Sequence, residues 1–201
     1  MPIRAVLWDA DGVLQQVPGS WASQLIDIIG EDRTRALLTD TWPIAQEAMC
    51  GRADMRVALG ELLVAHELSD VGDSVREVWG TFDRYDDTRE LVSRVRALGP
   101  RCHLATNQDQ LRASYMRERL GYDDLFDSSF YSCDVGAKKP EAAYFETVAQ
   151  RLGAGFDEIV FIDDTEANVV AARALGIHAI HWHHRDGLAV LEAALQEIGL
   201  G

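Results

Sequence analysis

Cysteine, proline and basic residues are scarce in this sequence, and each shortage argues against a class of protein. The 201 residues include 3 Cys and 5 Pro. Cys50, Cys102 and Cys133 form no CxxC pair and cannot all be paired, which favours a reducing compartment over a secreted disulfide scaffold. Lys and Arg number 19 against 33 Asp and Glu, a formal net charge of −14. Such a charge repels polyanions, so we expect no nucleic-acid partner.

Long apolar segments are also missing. No apolar run approaches the ~18 residues that a membrane helix needs, and the first nine residues lack the apolar stretch of a signal peptide. We therefore expect a cytoplasmic protein with no membrane partner. The composition, 47% apolar and 26% charged, is typical of a globular chain, and the length predicts one domain with a modest insertion.

Short apolar runs alternate with helical segments along most of the chain. Glycine commonly follows the last residue of a helix. Helix ends are therefore predicted at Gly99, Gly121, Gly153 and Gly176. Asp87 and Glu90 have the spacing of a capping box at a helix start. The strand-length runs are residues 3–8, 102–106, 129–131, 159–162 and 177–182. This alternation predicts a parallel sheet with helices on both faces.

The stretch 15–84 departs from this alternation. It shows helical patterning with no convincing strand, and turns are indicated near Gly30, Gly51 and residues 70–73. We interpret it as an inserted helical unit. Its tryptophans, Trp21, Trp42 and Trp79, are expected to pack between this unit and the rest of the protein, and a role as walls of a substrate pocket is the alternative.

Polar residues follow several of the predicted strands. In an open parallel sheet, ligands bind at the carboxyl ends of the strands, where the strand order reverses. The residues at these ends are Asp9, Asp11, Thr106, Asn107, Lys138, Lys139, Asp163 and Asp164. Four carboxylates at one edge repel one another unless a cation balances them, and their oxygens suit Mg²⁺. A lysine and the metal would together make a site for a phosphate group.

Four segments that carry these residues resemble, in order and spacing, the motifs of the haloacid dehalogenase-like (HAD) hydrolase superfamily. They are Asp9-Ala10-Asp11-Gly12-Val13-Leu14, Leu104-Ala105-Thr106-Asn107, Gly136-Ala137-Lys138-Lys139-Pro140-Glu141 and Phe161-Ile162-Asp163-Asp164-Thr165-Glu166-Ala167-Asn168. The resemblance implies an α/β fold, a Rossmann-like parallel sheet sandwiched by helices. It also implies a core domain of residues 1–14 and 85–201, with a small helical cap, 15–84, inserted after the first strand.

The cap carries a further likeness, in the segment Cys50-Gly51-Arg52-Ala53-Asp54. This segment resembles part of the small caps of the epoxide hydrolase N-terminal phosphatase domain and of bacterial sugar-phosphate phosphatases. Arg52 is therefore a candidate for contacting substrate, and a solvated arginine is the alternative interpretation.

The resemblance also implies catalytic roles. Asp9 would be the nucleophile that forms an aspartyl-phosphate. Asp11 would protonate the leaving group and later take a proton from the attacking water. Thr106 and Lys139 would hold the transferring phosphoryl group, with Asn107 as a further donor.

Mg²⁺ is the implied cofactor. Its ligands would be Asp9, the backbone carbonyl of Asp11, and the Asp163–Asp164 pair. Which member of that pair binds the metal directly stays open, and Asn168 is expected to brace the loop. The histidines that follow are interpreted as surface residues at a strand end, since their spacing matches no zinc site. They are His178, His181, His183 and His184.

These features predict a phosphoric monoester hydrolase, a Mg²⁺-dependent phosphatase acting on a small phosphorylated metabolite, with a sugar phosphate as one candidate. Asp11 argues against a dehalogenase, because that branch of the superfamily has no second aspartate at this position. A phosphomutase and a non-catalytic protein that binds a phosphorylated metabolite are the alternatives. The sequence leaves the substrate and the oligomeric state undetermined.

Overall fold

The structure is a computed structural model that describes residues 2–201; Met1, the first residue of the predicted core, lies outside them. The strands are β1 (Ala5–Trp8), β2 (Gln15–Gln16), β3 (Asp83–Arg84), β4 (Arg101–Thr106), β5 (Ser128–Tyr131), β6 (Ile159–Asp163) and β7 (His178–His181). The helices are α1 (Trp21–Ile29), α2 (Glu31–Ala48), α3 (Met55–Ala65), α4 (Gly72–Gly80), α5 (Asp86–Ala97), α6 (Gln110–Glu118), α7 (Tyr122–Leu125), α8 (Ser132–Val135), α9 (Ala142–Leu152), α10 (Glu166–Ala174) and α11 (Leu188–Glu197). Within residues 2–201, no helix has both the length and the hydropathy to cross a lipid bilayer.

Five strands form a parallel sheet in the order β5-β4-β1-β6-β7. β1 pairs with β4 on one side and with β6 on the other, so that Trp8 lies opposite both Leu104 and Ile162. The strand order therefore reverses at β1, which is where an open α/β sheet binds its ligands. The predicted fold class, a Rossmann-like parallel sheet between helices, is confirmed.

Both faces of the sheet are buried. Successive side chains of a strand point to opposite faces, and those of β1 enter an apolar cluster on each side. Val6 and Trp8 belong to the apolar cluster on one face, and Ala5 and Leu7 to the cluster on the other. β1 contains no polar side chain. Asp9, the residue directly after β1, is consequently the first charged residue that the chain reaches at this end of the strand.

Helices α1 to α4 lie between β2 and β3 and share a separate apolar cluster that includes Leu25, Leu37 and Leu59. β2 and β3 pair antiparallel, with Gln15 opposite Arg84. The sequence did not predict this pairing, because two polar residues give no alternating pattern. The pairing brings the start and the end of the helical segment together. On this basis we propose the division into a core, 1–14 and 85–201, and a cap, 15–84.

The glycines mark helix ends as predicted, whereas one predicted helix start is wrong. Asp87 does not cap α5, because the helix begins at Asp86 after an extended Tyr85. Asp87 lies in the first turn, where its Oδ1 accepts a hydrogen bond from the Thr88 N–H at 2.8 Å and lies 3.0 Å from Nε2 of His184.

Candidate active site

Asp9 lies at the centre of the site because β1 ends beside β6 at this point. The Asp9 N–H donates to the carbonyl of Ile162 at 2.9 Å. The loop after Asp9 turns closely against the loop after β6. At Gly12, where φ is 76°, a Cβ atom would lie 2.4 Å from Oδ2 of Asp164. The backbone conformation therefore favours glycine, and a larger residue would also displace the carboxylate of Asp164.

Three carboxylates converge beyond the ends of β1 and β6. Asp9, Asp163 and Asp164 each direct one oxygen into a space in which the three oxygens lie within 4.8 Å of one another. Within residues 2–201, this is the one set of three such side chains close enough to hold a metal ion. The fully buried Asp163 accepts hydrogen bonds from Asn168 Nδ2 at 3.0 and 3.1 Å and from the Thr165 N–H at 2.8 Å. Asn168 therefore braces this loop, as predicted.

Lys139 is buried among these carboxylates. Its Nζ lies 2.8 Å from Asp9 Oδ1 and 2.6 Å from Asp163 Oδ2, and it donates to the carbonyl of Ala105 at 2.8 Å. Burial by itself lowers the pKa of Lys139, but the Asp163 and Asp9 carboxylates outweigh burial and raise it. The lysine is therefore a fixed positive charge in the site.

One lysine cannot balance three ionised carboxylates at such close range. Burial raises the pKa of Asp9 well above its usual range; Lys139 opposes this rise, and the Asp163 carboxylate adds to it. Burial and then the Asp163 carboxylate also raise the pKa of Asp164. A divalent cation bound by oxygen atoms would balance this excess of carboxylates and would suit their oxygen ligands.

The loop after β4 reaches the same place and supports the lysine. Nδ2 of Asn107 donates to the carbonyl of Lys139 at 2.8 Å, and the Lys139 N–H donates to Oδ1 of Asn107 at 2.9 Å. The side-chain amide of Asn107 is thus occupied in holding the lysine loop. Thr106 is buried at the end of β4, where its hydroxyl accepts a hydrogen bond from Gln108 Nε2 at 3.0 Å.

Asp11 points to a different set of partners. Nη2 of Arg112 donates to Oδ1 of Asp11 at 3.1 Å and to Oδ2 at 2.9 Å. Gln15 Nε2 donates to Oδ1 at 2.9 Å, and Gln108 Nε2 donates to Oδ2 at 3.0 Å. The carboxylate of Asp11 is therefore oriented by three side chains and does not belong to the metal-type cluster.

Sequence reasoning missed Arg112, Gln15 and Gln108. Arg112 is 101 positions from Asp11, and no residue pattern links the two. The usable signal was its place in the first turn of the helix that follows β4, because that turn faces the same edge of the sheet.

Two other predicted groups lie away from the carboxylates. Arg52 is not brought to the site: it is exposed, and its Nε pairs with Oε2 of Glu47 at 2.6 Å. The histidines form no metal cluster within residues 2–201. Nε2 of His181 lies 2.8 Å from the carbonyl oxygen of Asp164, and His184 stacks on Tyr85. His181 is the last residue of β7 and His184 follows the strand, so both lie at a strand end, as predicted.

A cavity of about 360 Å³ opens between the cap and the loop after β4. Its cap wall is apolar, and its floor includes two residues, Gln108 and Arg112, that also donate hydrogen bonds to Asp11. The floor residues are Asn107, Gln108, Asp109 and Arg112. Trp21 and Trp79 line it and also stack on each other, with ring centroids 4.8 Å apart. Trp42 lines it too but is 62% exposed, so the predicted packing between cap and core is wrong for Trp42.

Two curated proteins that match this chain over most of both lengths are named as phosphatases. A sesquiterpene phosphatase, astK of Aspergillus oryzae, is 25% identical over 198 residues, 98% of this chain and 97% of that protein. A phosphoglycolate phosphatase of Xanthomonas campestris is 23% identical over 191 residues, 92% of this chain and 86% of that protein. Several other relatives are longer, and the chain spans half of their length or less.

The fold is also that of solved enzymes. A HAD family enzyme of Bacteroides thetaiotaomicron, bt-2542, crystallised with magnesium and inorganic phosphate, superposes with a TM-score of 0.80 at 19% identity. The match covers 94% of this chain and 98% of that one. The family model for haloacid dehalogenase-like hydrolases matches residues 3–176. The chain therefore belongs to the haloacid dehalogenase-like hydrolase family.

Proposed function

We propose that this protein is a Mg²⁺-dependent phosphatase that hydrolyses a small phosphomonoester. The observation that carries the proposal is the convergence of the Asp9, Asp163 and Asp164 carboxylates around the buried Lys139. Similarity to two enzymes named as phosphatases supports hydrolysis of a phosphate ester. The related structure with magnesium and inorganic phosphate supports the pairing of these two ligands in this fold.

The donor set fits Mg²⁺, because the site offers only oxygen ligands and has more carboxylates than its single lysine can balance. We assign Asp9, Asp163 and Asp164 to holding the ion, together with the backbone carbonyl of Asp11. When bound, Mg²⁺ neutralises and orients the oxygens of the phosphoryl group. The side chain of Asp11 is free of this task, since it lies against Arg112.

In the first half of the reaction, Asp9 attacks phosphorus. Lys139 holds Oδ1 of Asp9 at 2.8 Å, which fixes the carboxylate. A bond between an Asp9 carboxylate oxygen and phosphorus forms while the bond between phosphorus and the ester oxygen breaks. Asp11, which enters this half protonated, gives its proton to that ester oxygen, the alcohol leaves, and Arg112 pairs with the resulting Asp11 carboxylate.

In the second half, water attacks the phosphorus of the aspartyl-phosphate. Asp11 takes a proton from the water, the bond between phosphorus and Asp9 breaks, and inorganic phosphate leaves. Thr106 and Lys139 hold the phosphoryl group during both transfers. Asn107 contributes through Lys139, whose backbone it fixes at both the N–H and the carbonyl.

Release of phosphate from 4-nitrophenyl phosphate tests the proposal. We expect hydrolysis with Mg²⁺, its loss on chelation with EDTA, and its recovery when Mg²⁺ is restored. Asp9→Asn removes the nucleophile and is expected to lower kcat by ~10⁴-fold or more. Asp70→Asn, at an exposed position of the cap, is the matched control.

Activity that survives both chelation and Asp9→Asn contradicts the proposal. Interconversion of sugar phosphates without release of phosphate would favour the phosphomutase instead. A protein that binds beryllium fluoride with Mg²⁺ but hydrolyses no phosphate ester would be the non-catalytic alternative.

A further inference from the structure

The cavity beside the proposed active site has an apolar wall supplied by the cap. The side chains of this wall are Trp21, Leu38, Trp42, Ala45, Met49 and Trp79. Trp42 keeps 62% of its surface exposed, although burial of a tryptophan is strongly favourable. Trp42 therefore adds aromatic surface at the edge of the cavity, next to the other apolar side chains of the wall.

The cavity adjoins the atoms that act on the ester oxygen in the proposed function. Gln108 and Arg112 line it, and both donate hydrogen bonds to the carboxylate of Asp11. Asn107 lines it as well and holds Lys139. A phosphate ester whose phosphoryl group lies at Asp9 and Lys139 would therefore extend its leaving group from Asp11 into this cavity.

The polar groups that line the cavity are for the most part engaged with other protein groups or closed off from solvent. Oδ2 of Asp109 accepts a hydrogen bond from Trp79 Nε1 at 3.1 Å, and its Oδ1 accepts from the N–H groups of Leu111 and Arg112. The hydroxyl of Ser20 accepts from the N–H of Ser23 at 3.0 Å. Four polar atoms of lining residues have no partner, but all four are buried from solvent: Trp21 Nε1, Thr41 Oγ1, Gln108 Oε1 and Arg112 Nε.

This arrangement disfavours a leaving group with many hydroxyls. A site that binds a sugar supplies a donor or acceptor for each buried hydroxyl, since an unpaired one costs free energy. Here the side chains of the wall contribute hydrocarbon surface and aromatic rings, which stabilise a ligand by burying its apolar area.

Resting on the proposed function, we infer that the natural substrate is the monophosphate ester of an apolar alcohol, whose hydrocarbon part occupies this cavity. The phosphate end is recognised by Lys139 and the cation site, and the chain is recognised by the cap. Sugar phosphates, which are polar along their whole length, are poor substrates of this site.

A series of n-alkyl monophosphates from ethyl to decyl, used below their micelle concentrations, tests the inference by phosphate release. We expect kcat/KM to rise about fourfold for each added methylene until the cavity is filled, from the transfer free energy of one methylene. Glucose 6-phosphate, which has as many carbons as hexyl phosphate, is expected to react no faster than ethyl phosphate.

Binding without turnover gives a second measurement. Alkylphosphonates of the same lengths, as inhibitors of 4-nitrophenyl phosphate hydrolysis, should show inhibition constants that fall with chain length. Leu38→Gln places an amide in the apolar wall and is expected to flatten this dependence. Val64→Gln, at a side chain of the same cap that is 68% exposed, is the matched control and should keep the dependence.

Two outcomes overturn the inference alone: kcat/KM that does not change with chain length, or glucose 6-phosphate hydrolysed faster than hexyl phosphate, while Asp9-dependent hydrolysis of 4-nitrophenyl phosphate persists. If no ester of the panel releases phosphate, the proposed function fails and the inference falls with it. The inhibition series keeps the test informative if Leu38→Gln does not fold.

Discussion

Arg112 and Asp11 form an ion pair that joins the first turn of α6 to the loop after β1. Nη2 of Arg112 lies 2.9 Å from Oδ2 and 3.1 Å from Oδ1 of Asp11. The guanidinium lies 4.6 Å from the ring centroids of both Trp21 and Phe82, and the side chain is 9% exposed. Because Trp21 begins helix α1 of the cap, the group that orients the proposed acid is itself held by the cap.

Replacing Arg112 by Gln is expected to misplace Asp11 and to forfeit part of the ~10²- to 10⁴-fold contribution of a general acid. The loss in kcat/KM should be larger for phenyl phosphate than for 4-nitrophenyl phosphate, because nitrophenolate is the better leaving group and needs less protonation. The measurement is the ratio of the two values of kcat/KM. Arg117→Gln, on the same helix with Asp134 as partner, is the control. Equal losses on both substrates would mean that Arg112 does not act through Asp11.

Lys139→Met should cost both activity and stability. Loss of one preorganised charge at the phosphoryl group is expected to lower kcat by ~10²- to 10³-fold. It also leaves the buried carboxylates of Asp9 and Asp163 without the lysine ammonium that pairs with them. Breaking a buried ion pair in this way costs about 3–5 kcal/mol of folding stability. Urea denaturation without metal measures the change in unfolding free energy.

Lys138→Met is the matched control for this lysine. This substitution removes the positive charge next to Lys139. The partner of Lys138 is the side chain of Gln46, and no buried carboxylate depends on it. We expect wild-type kcat and stability for this variant. A folded Lys139→Met protein with undiminished kcat would remove the lysine from the proposed mechanism.

The parts of the site that could be predicted are those that a strand end determines locally. Asp9, Thr106 and Asp163 follow or end buried apolar runs, so the parallel sheet brings them to one edge wherever the remaining chain goes. Lys139 could be predicted because it lies in a motif with recognisable neighbours. These positions depend on where the apolar runs end and on the order of the motifs along the chain, and a single sequence shows both.

The rest depends on contacts between distant segments. Arg112 is equally suited to the surface of a helix, and only the tertiary structure brings it to Asp11. Arg52 had a cap-like sequence around it, yet Glu47, five positions earlier, offers its guanidinium a nearer partner. Tryptophan is a residue type that is often buried, but α2 directs Trp42 toward the cavity and solvent. The residue type alone does not determine this direction.

Magnesium should stabilise the folded protein, because the folded chain alone assembles the three carboxylates. At a concentration 100 times the dissociation constant, a ligand specific for the native state adds about 2.7 kcal/mol to the free energy of unfolding. Asp164→Asn removes one of the assigned ligands and is expected to reduce the rise in Tm with MgCl₂. Asp70→Asn, which lies in the exposed part of the cap, should leave the rise unchanged. The same rise in wild type and in Asp164→Asn would show that Asp164 does not bind the ion.

His103 should make the protein less stable in mild acid. It is buried in β4, neither ring nitrogen has a hydrogen-bond partner, and burial lowers its pKa to about 4. The unfolded chain, with a histidine pKa near 6.5, takes up this proton more readily than the folded one, so stability falls as the pH decreases from about 6.5 toward 4. His103→Leu should reduce the difference in unfolding free energy between pH 7.5 and pH 5, measured in urea, by on the order of 1 kcal/mol. His178→Leu, at an exposed position of β7, should keep the wild-type difference, and a wild-type difference in His103→Leu would contradict the assignment.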